Sequence, residues 1–146
     1  MTNTPLVCIV DDAADYRFLV HFLFKRHFPY YSVALFADGR DFLDQLTELN
    51  PLPRLILLDR HMPNLDGHQT LLRLKGQSAY KKIPVVMMSA DATVDEINDC
   101  YEAGVNSFLR KSIHLDSLGQ QLKLVCQYWL EANESSIRQP SIASQR

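Results

Sequence analysis

The sequence predicts a doubly wound α/β fold, in which a five-stranded parallel sheet carries helices on both faces. The main observation is that five short apolar runs of strand length alternate with five segments of helix length. Several of these runs are continuously apolar, as is typical of parallel strands that are covered on both faces. The chain has 146 residues, which is the size of one domain. Right-handed crossovers between parallel strands then place helices on both sides of the sheet.

The first part of the chain predicts three strands and two helices. Its first and third strands are continuous apolar runs, and apolar residues dominate the long segment after the first strand. Asp38 and Gly39 are placed to start the second helix. Asn50-Pro51 is placed to end it, because a residue before proline disfavours helical dihedrals. The predicted elements are, in order, strand Leu6–Val10, helix Ala14–His27, strand Tyr31–Phe36, helix Arg40–Leu49 and strand Leu55–Leu58.

The second part predicts three helices and two strands. Gly76 and Gly104 stand where helices commonly end. The predicted elements are helix Gly67–Lys75, strand Ile83–Met88, helix Thr93–Ala103, strand Val105–Leu109 and helix Leu115–Leu130. The domain is therefore predicted to span residues 1–132. Residues 133–146 are rich in Ser and polar side chains, which is typical of a flexible tail.

Composition excludes several classes of function. The chain is 47% hydrophobic and has a formal net charge of −2, so it has no basic excess for direct nucleic-acid binding. It has neither a signal-peptide pattern at its start nor an apolar stretch of about 18 residues, which predicts a cytoplasmic protein without a membrane span. The three cysteines, Cys8, Cys100 and Cys126, lack metal-type spacing, and we expect reduced thiols that serve packing.

Polar residues follow four of the predicted strands. Asp11 and Asp12 follow the first, Asp59 the third, Ser89 the fourth and Lys111 the fifth. In the strand order 2-1-3-4-5, ligands bind beyond the carboxyl ends of the strands, between the first and third strands. Each residue alone has a structural alternative: a helix cap for the aspartates, a turn for Ser89 and a solvated charge for Lys111. Their combination indicates a functional site.

Three carboxylates at one point predict a divalent cation. Asp11, Asp12 and Asp59 would raise one another's pKa unless a cation compensates their charge. Mg²⁺ prefers oxygen ligands and is commonly held by one or two carboxylates together with phosphate oxygens. A carboxylate at such a site also acts as a nucleophile that forms an aspartyl phosphate. Lys111 and Ser89 supply an ammonium and a hydroxyl that stabilise phosphoryl oxygens.

Four segments of the chain together resemble a known family. They are Asp11-Asp12 after an apolar strand, DRHMPNLDG from Asp59 to Gly67, Met88-Ser89-Ala90, and FLRK ending at Lys111. In this order, and over about residues 6–130, they resemble the receiver domain of two-component response regulators. The chain looks like a stand-alone receiver of the chemotaxis type. The resemblance implies a flavodoxin-like fold and a role in phosphorelay signal transduction.

The resemblance implies a phosphorylation site with its metal. Asp59 would accept the phosphoryl group. Asp11, Asp12 and Asp59, with the backbone carbonyl of His61, would hold Mg²⁺. The chain would catalyse only its own phosphorylation and dephosphorylation, which is not an enzyme activity on another substrate.

The same resemblance implies a conformational switch that responds to phosphorylation and residues that set the rate of dephosphorylation. Ser89 would move toward the phosphoryl group, Phe108 would rotate into the space that opens, and Lys111 would pair with the phosphate. A core aromatic on the fifth strand is the alternative for Phe108. His61 and Asp91 resemble two positions that tune the rate of dephosphorylation, although His61 alone also fits a solvated loop residue.

One position departs from the family pattern. Receivers usually have proline after this lysine, often with a cis bond, whereas this chain has Ser112. A cis bond before a residue other than proline costs about 2.5–4 kcal/mol, so we predict a trans Lys111-Ser112 peptide.

Two other classes of function fit part of the pattern. A phosphatase or phosphotransferase that forms an aspartyl phosphate needs a second acidic residue two positions after the nucleophile, where this chain has His61. An interaction module that no longer uses phosphorylation would lack an acidic, hydroxyl or lysine position, and all are present.

The resemblance also implies partners. The phosphoryl donor would be a histidine kinase or a histidine phosphotransfer protein. No effector domain follows, so we expect output through protein contact, self-association or phosphoryl relay. The family's usual contact surface is the fourth helix, fifth strand and fifth helix, which favours a homodimer there as one form of output. Tyr101, Tyr128 and Trp129 are candidate contacts on that surface, with a role in the core as the alternative.

Overall fold

The computed structural model describes residues 4–137 and confirms the predicted order of elements. No helix in this part of the chain is long and apolar enough to cross a bilayer. The elements are β1 (Leu6–Val10), α1 (Ala14–His27), β2 (Ser32–Phe36), α2 (Gly39–Leu46), β3 (Leu55–Asp59), α3 (Gly67–Lys75), β4 (Val85–Ser89), α4 (Val94–Glu102), β5 (Ser107–Arg110) and α5 (Leu115–Cys126). α5 continues directly into a π-helical segment, Gln127–Ala132.

The strands form one parallel sheet in the order β2-β1-β3-β4-β5, which confirms the doubly wound, flavodoxin-like fold. β1 lies inside the sheet, where Val10 is opposite Phe36 on one side and Leu58 on the other. The chain therefore leaves β1 and β3 at neighbouring points of the same sheet edge. Asp11 and Asp59 stand at those two points.

Two apolar cores cover the two faces of the sheet. Alternate residues of each strand point to opposite faces, so Ile9 joins one core and Val10 joins the other. The first core packs α1 and α5 against the sheet through residues such as Val20, Phe24, Leu118 and Leu122. The second packs α2, α3 and α4 through residues such as Phe42, Leu46, Leu71, Leu74 and Cys100. This burial on both faces explains why β1, β3 and β4 read as continuous apolar runs.

Some element boundaries differ from those predicted. β4 begins at Val85 rather than Ile83, because the Ile83 amide donates to Tyr80 O in a turn and Pro84 has no amide hydrogen. α2 ends at Leu46 rather than Leu49, because the next residues form tight turns. β5 begins at Ser107, two residues later than predicted.

The helices α3 and α4 begin with the same motif. Asp66 accepts from the Gln69 amide at 2.9 Å, and Thr93 accepts from the Glu96 amide at 3.1 Å. The Gln69 and Glu96 side chains accept in return from the amides of their cap residues, at 2.9 and 3.0 Å. Both N-termini are therefore closed by reciprocal capping boxes, which fix the backbone where it enters each helix.

Lys75 joins the end of α3 to the start of β4 and β5. Its Nζ donates to Lys81 O at 3.0 Å, Ile83 O at 3.2 Å and Asn106 Oδ1 at 3.1 Å. Burial lowers the pKa of this ammonium. Gly104, which ends α4, has φ of 100°, and a Cβ there would meet Lys75 Cγ at 3.4 Å.

The three cysteines are buried and free, as expected. Burial raises the pKa of Cys8 and of Cys126 to about 12. Their thiols therefore stay protonated and act as small apolar groups.

The predicted tail, 133–146, is only partly described. Ile137 packs, partly buried, against the core on the α2, α3 and α4 side. Residues 138–146 lie outside the described part of the chain, so the domain boundary stays a prediction.

Candidate functional site

The three acidic residues predicted to form a site lie together at the edge of the sheet. One carboxylate oxygen from each of Asp11, Asp12 and Asp59 falls within 4.8 Å of the other two. Asp11 is 3% exposed and Asp59 is 6% exposed, whereas Asp12 is open to solvent. The strand ends thus place two buried carboxylates and one exposed carboxylate at one point.

Lys111 supplies the positive charge next to these carboxylates. Its Nζ lies 2.7 Å from Asp11 Oδ2 and 3.3 Å from Asp59 Oδ1. The Lys111 amide donates to Ser89 O at 2.8 Å, which holds the residue at the end of β5 beside β4. Burial by itself lowers the pKa of Lys111, but the hydrogen bond and charge of Asp11, together with Asp59, raise it above its ordinary value. The side chain is therefore an ammonium.

The cluster formed by the three carboxylates and Lys111 carries more negative than positive charge. Burial, and next the charge of Asp11, raise the pKa of Asp59 from 3.8 to about 6, although Lys111 opposes the shift. One ammonium faces three carboxylates, which leaves an excess of negative charge on oxygen donors. Such a donor set fits a hard divalent cation such as Mg²⁺.

Tyr16 forms the floor below Lys111. Lys111 Nζ lies 4.3 Å from the centroid of the Tyr16 ring, within the range of a cation–π contact. Tyr16 is 6% exposed, and its hydroxyl lies 3.8 Å from Met88 Sδ. Burial, then the charges of Asp11 and Asp59, raise its pKa, so the hydroxyl stays protonated. Our sequence reasoning did not single out Tyr16, because its place in the first turn of an apolar helix gives no sign of the lysine.

Ser89 lies beside the cluster and contacts two other predicted residues. Its Oγ is 3.3 Å from His61 Nδ1 and 3.4 Å from Asp91 Oδ1. The Asp91 amide also donates to Ser89 Oγ at 3.3 Å. His61 Nε2 lies 3.0 Å from Glu96 Oε2, so the imidazole bridges Ser89 and the first turn of α4.

Glu96 is a second residue that the sequence reasoning missed. It lies in the first turn of α4, where its position predicts a capping role and nothing more. Arg60, which follows Asp59, is 9% exposed and reaches Asp66 Oδ2 at 3.3 Å and Glu96 Oε2 at 3.9 Å. The hydrogen bond from His61, and next that from the Thr93 amide, lower the pKa of Glu96, which is therefore a carboxylate.

Phe108 is half-buried on β5 and packs against the core on the α2, α3 and α4 side. It borders a cavity of about 260 Å³ that Ser89 and Tyr101 also line. Arg110 Nη1 donates to Ala90 O at 3.1 Å at the same cavity. The predicted switch residues Ser89 and Phe108 therefore line one pocket, which is partly open to solvent.

The Lys111-Ser112 peptide is trans, as predicted. Within residues 4–137, the one cis peptide bond is Asn50-Pro51. Ser112 Oγ accepts from the His114 amide at 3.3 Å, in the turn that leads into α5.

Comparison with known proteins gives matches over most of the chain. A family model described as the response regulator receiver domain matches residues 7–123. Response regulator Rcp1 from Synechocystis sp. is 34% identical over 137 residues, which covers 89% of this chain and 92% of Rcp1. The probable methanogenesis regulatory protein FilR2 from Methanothrix harundinacea is 29% identical over 134 residues, 89% of this chain and 86% of FilR2.

Solved structures of similar proteins have the same fold. The phosphorylated cyanobacterial phytochrome response regulator RcpA has a TM-score of 0.83 and 27% identity, over 91% of this chain and 99% of RcpA. The Mn²⁺-bound form of Rcp1 has a TM-score of 0.80 and 28% identity, over 90% of this chain and 98% of that one.

Proposed function

The chain belongs to the response regulator receiver domain family and acts in phosphorelay signal transduction, and we propose that Asp59 is the residue that accepts its phosphoryl group. One observation carries this assignment. Asp59 ends β3 as a buried carboxylate within 4.8 Å of Asp11 and Asp12, with the Lys111 ammonium 3.3 Å away.

The proposed chemistry is a phosphoryl transfer to a carboxylate. An Asp59 oxygen attacks phosphorus, the bond from phosphorus to the donor's imidazole nitrogen breaks, and that nitrogen keeps the electron pair and takes a proton from water. A pKa of about 6 leaves Asp59 mainly ionised at pH 7.5, as a nucleophile must be. Lys111 then binds a phosphoryl oxygen. The proposal assigns the chain no substrate besides its own aspartate.

Mg²⁺ is the metal of this proposal. Asp11, Asp12, Asp59 and the backbone carbonyl of His61 would hold it, and the bound ion would neutralise negative charge on the phosphoryl oxygens. The excess of carboxylate over ammonium charge supports this assignment. The solved Mn²⁺-bound form of Rcp1 offers a parallel in a relative.

Ser89 and Phe108 are the proposed switch. Ser89 would leave His61 and Asp91 to donate to the phosphoryl group, and Phe108 would turn into the cavity of about 260 Å³ that both residues line. This cavity supports a switch over a fixed core aromatic, because a moving ring needs space. His61 and Asp91, at the mouth of the site, would tune the rate of dephosphorylation.

The donor of a receiver domain is a histidine kinase or a histidine phosphotransfer protein. For output, we propose a homodimer through α4, β5 and α5. Leu124 and Tyr128 are 68% and 52% exposed on this surface, beside a groove of about 320 Å³ lined in part by Leu109, Val125 and Trp129. Exposed apolar side chains around a groove favour a protein contact. The cytoplasmic location and the absence of direct nucleic-acid binding belong to the same proposal.

Sedimentation with and without beryllofluoride tests the dimer. We expect the phosphoryl analogue to raise the fraction of dimer in the wild-type chain, and Leu124→Asp to abolish this rise. Leu72→Asp, on the exposed face of α3, is the matched control and should dimerise as the wild type does. A monomer under both conditions rejects the dimer and leaves the phosphorylation site untouched.

Intact mass spectrometry tests the phosphorylation itself. The protein is incubated with Mg²⁺ and acetyl phosphate, with Asp59→Asn and an EDTA-treated sample as controls. We expect the wild-type mass to increase by one phosphoryl group and both controls to stay unchanged. A missing increase, together with no binding of beryllofluoride, would favour an interaction module that does not use phosphorylation.

A further inference from the structure

We propose that Glu96 is a positioning residue that holds His61 against Ser89, and so keeps the Ser89 hydroxyl engaged away from Asp59 until phosphorylation. This inference rests on the proposed function of Asp59. It concerns a residue of α4 that none of the motif positions includes.

The Glu96 carboxylate is fixed on both of its oxygens. Oε1 accepts from the Thr93 amide at 3.0 Å within the capping box, and Oε2 lies 3.0 Å from His61 Nε2. Arg60 Nη2 is 3.9 Å from the same Oε2. The capping box anchors the carboxylate to the backbone of α4, so it offers His61 a stationary acceptor.

This contact sets the orientation of the imidazole. A carboxylate only accepts hydrogen bonds, so the hydrogen lies on His61 Nε2. The other ring nitrogen, Nδ1, then lies 3.3 Å from Ser89 Oγ and 3.3 Å from Asp91 Oδ1. Glu96 thereby holds the Nδ1 side of the ring beside the Ser89 hydroxyl without touching Ser89.

The contact between Glu96 and His61 affects the proposed movement of Ser89. Ser89 Oγ, His61 Nδ1 and Asp91 Oδ1 each lie 3.3 or 3.4 Å from the other two, so the three groups form one polar cluster. Movement of the Ser89 hydroxyl toward a phosphoryl oxygen on Asp59 requires its contacts in this cluster to be given up. Glu96 therefore opposes the phosphorylated arrangement by holding His61 in this cluster with Ser89.

The test measures the affinity of the protein for beryllofluoride with Mg²⁺, by fluorine NMR. Glu96→Ala should bind the analogue about two- to tenfold more tightly than the wild type, which is the factor for a hydrogen bond of ordinary net strength. Glu96→Gln keeps an acceptor for His61 and a capping-box side chain, so it should bind as the wild type does.

Two further variants separate positioning from helix capping. Thr93→Ala removes the cap of α4 but leaves the contact between Glu96 and His61, and should leave the affinity unchanged. His61→Ala should raise the affinity, and Glu96→Ala added to it should have no further effect, because Glu96 acts through His61.

The outcomes are distinct. Unchanged affinity in Glu96→Ala, an equal effect of Thr93→Ala, or additive effects of Glu96→Ala and His61→Ala would each overturn the inference. Failure of the wild-type protein to bind beryllofluoride would instead reject the proposed function.

Discussion

Replacing Asp59 by Asn is expected to stabilise the metal-free protein. Asp59 is 6% exposed and shares its surroundings with two other carboxylates. Asn has nearly the same shape and keeps an oxygen that accepts from Lys111, whose stronger contact is with Asp11 at 2.7 Å. The substitution therefore removes a repelled charge and leaves the packing and the nearest ion pair in place.

The size of the effect follows from the raised pKa. A carboxyl group whose pKa rises from 3.8 to about 6 on folding is disfavoured as an anion by about 3 kcal/mol at most, at 1.36 kcal/mol per pH unit. Solvent reaches part of the site and screens the charges, so we expect about 1–2 kcal/mol.

The direction of the Asp59 pKa shift determines how the stability difference between the two proteins depends on pH. Below about pH 4 the group is protonated in both the folded and unfolded states, and the two proteins should be equally stable. Between about pH 4 and 6 the unfolded chain ionises first, so the wild type loses stability as the pH rises. Above about pH 6 the advantage of Asp59→Asn should be constant.

Urea unfolding in EDTA, followed by circular dichroism from pH 5 to 8, measures this difference. Asp44→Asn, on the exposed surface of α2, is the matched control and should stay close to the wild type at every pH. Saturating Mg²⁺ should narrow the gap, because the ion stabilises the folded wild type by binding to it. If Asp59→Asn were no more stable than the wild type at pH 7.5 without metal, the argument from charge repulsion would be wrong.

Three further substitutions test other contacts. Tyr16→Leu removes the ring below Lys111 and should slow phosphorylation by acetyl phosphate severalfold, whereas Tyr16→Phe should keep the rate; equal rates would exclude a role for the ring. Lys75→Met removes the donor to Lys81 O and Ile83 O, whereas Asn106 Oδ1 keeps the Val85 amide as a donor. The substitution should lower the free energy of unfolding by about 1–3 kcal/mol, with exposed Lys82→Met as a neutral control; equal losses would reject the role of Lys75. Gly67→Ala brings a Cβ within 2.8 Å of Arg60 Cα, beside the proposed phosphoacceptor Asp59. Both phosphorylation rate and thermal stability should fall, and a silent substitution would refute the close packing.

The sequence was sufficient to predict that the polar residues at the strand ends meet at one edge of the sheet. Asp11, Asp59, Ser89 and Lys111 each follow or end an apolar run, and the topology of a parallel sheet brings such positions to one edge. The trans peptide after Lys111 also followed from covalent energetics alone. These inferences worked because they depend on chain order and on local chemistry.

The contacts that sequence reasoning missed depend on how distant elements meet. Tyr16 has the pattern of a core residue of α1, and only the arrival of Lys111 from β5 gives its ring another role. Glu96 fits a capping box, and its contact with His61 depends on where the loop after β3 lies against α4. Boundaries such as the start of β4 were misjudged because a turn at Ile83 competes with the strand for the same amide.

Arg60 connects the N-termini of α3 and α4, which bears on how these two helix ends unfold locally. Its nearly buried guanidinium reaches Asp66, which begins α3, and Glu96, which caps α4. Because both helix starts contact the same side chain, fraying of either first turn removes a partner of Arg60 and changes the surroundings of the other. The first turns of α3 and α4 should thus behave as one cooperative unit of local unfolding, with matched amide protection at the two helix starts.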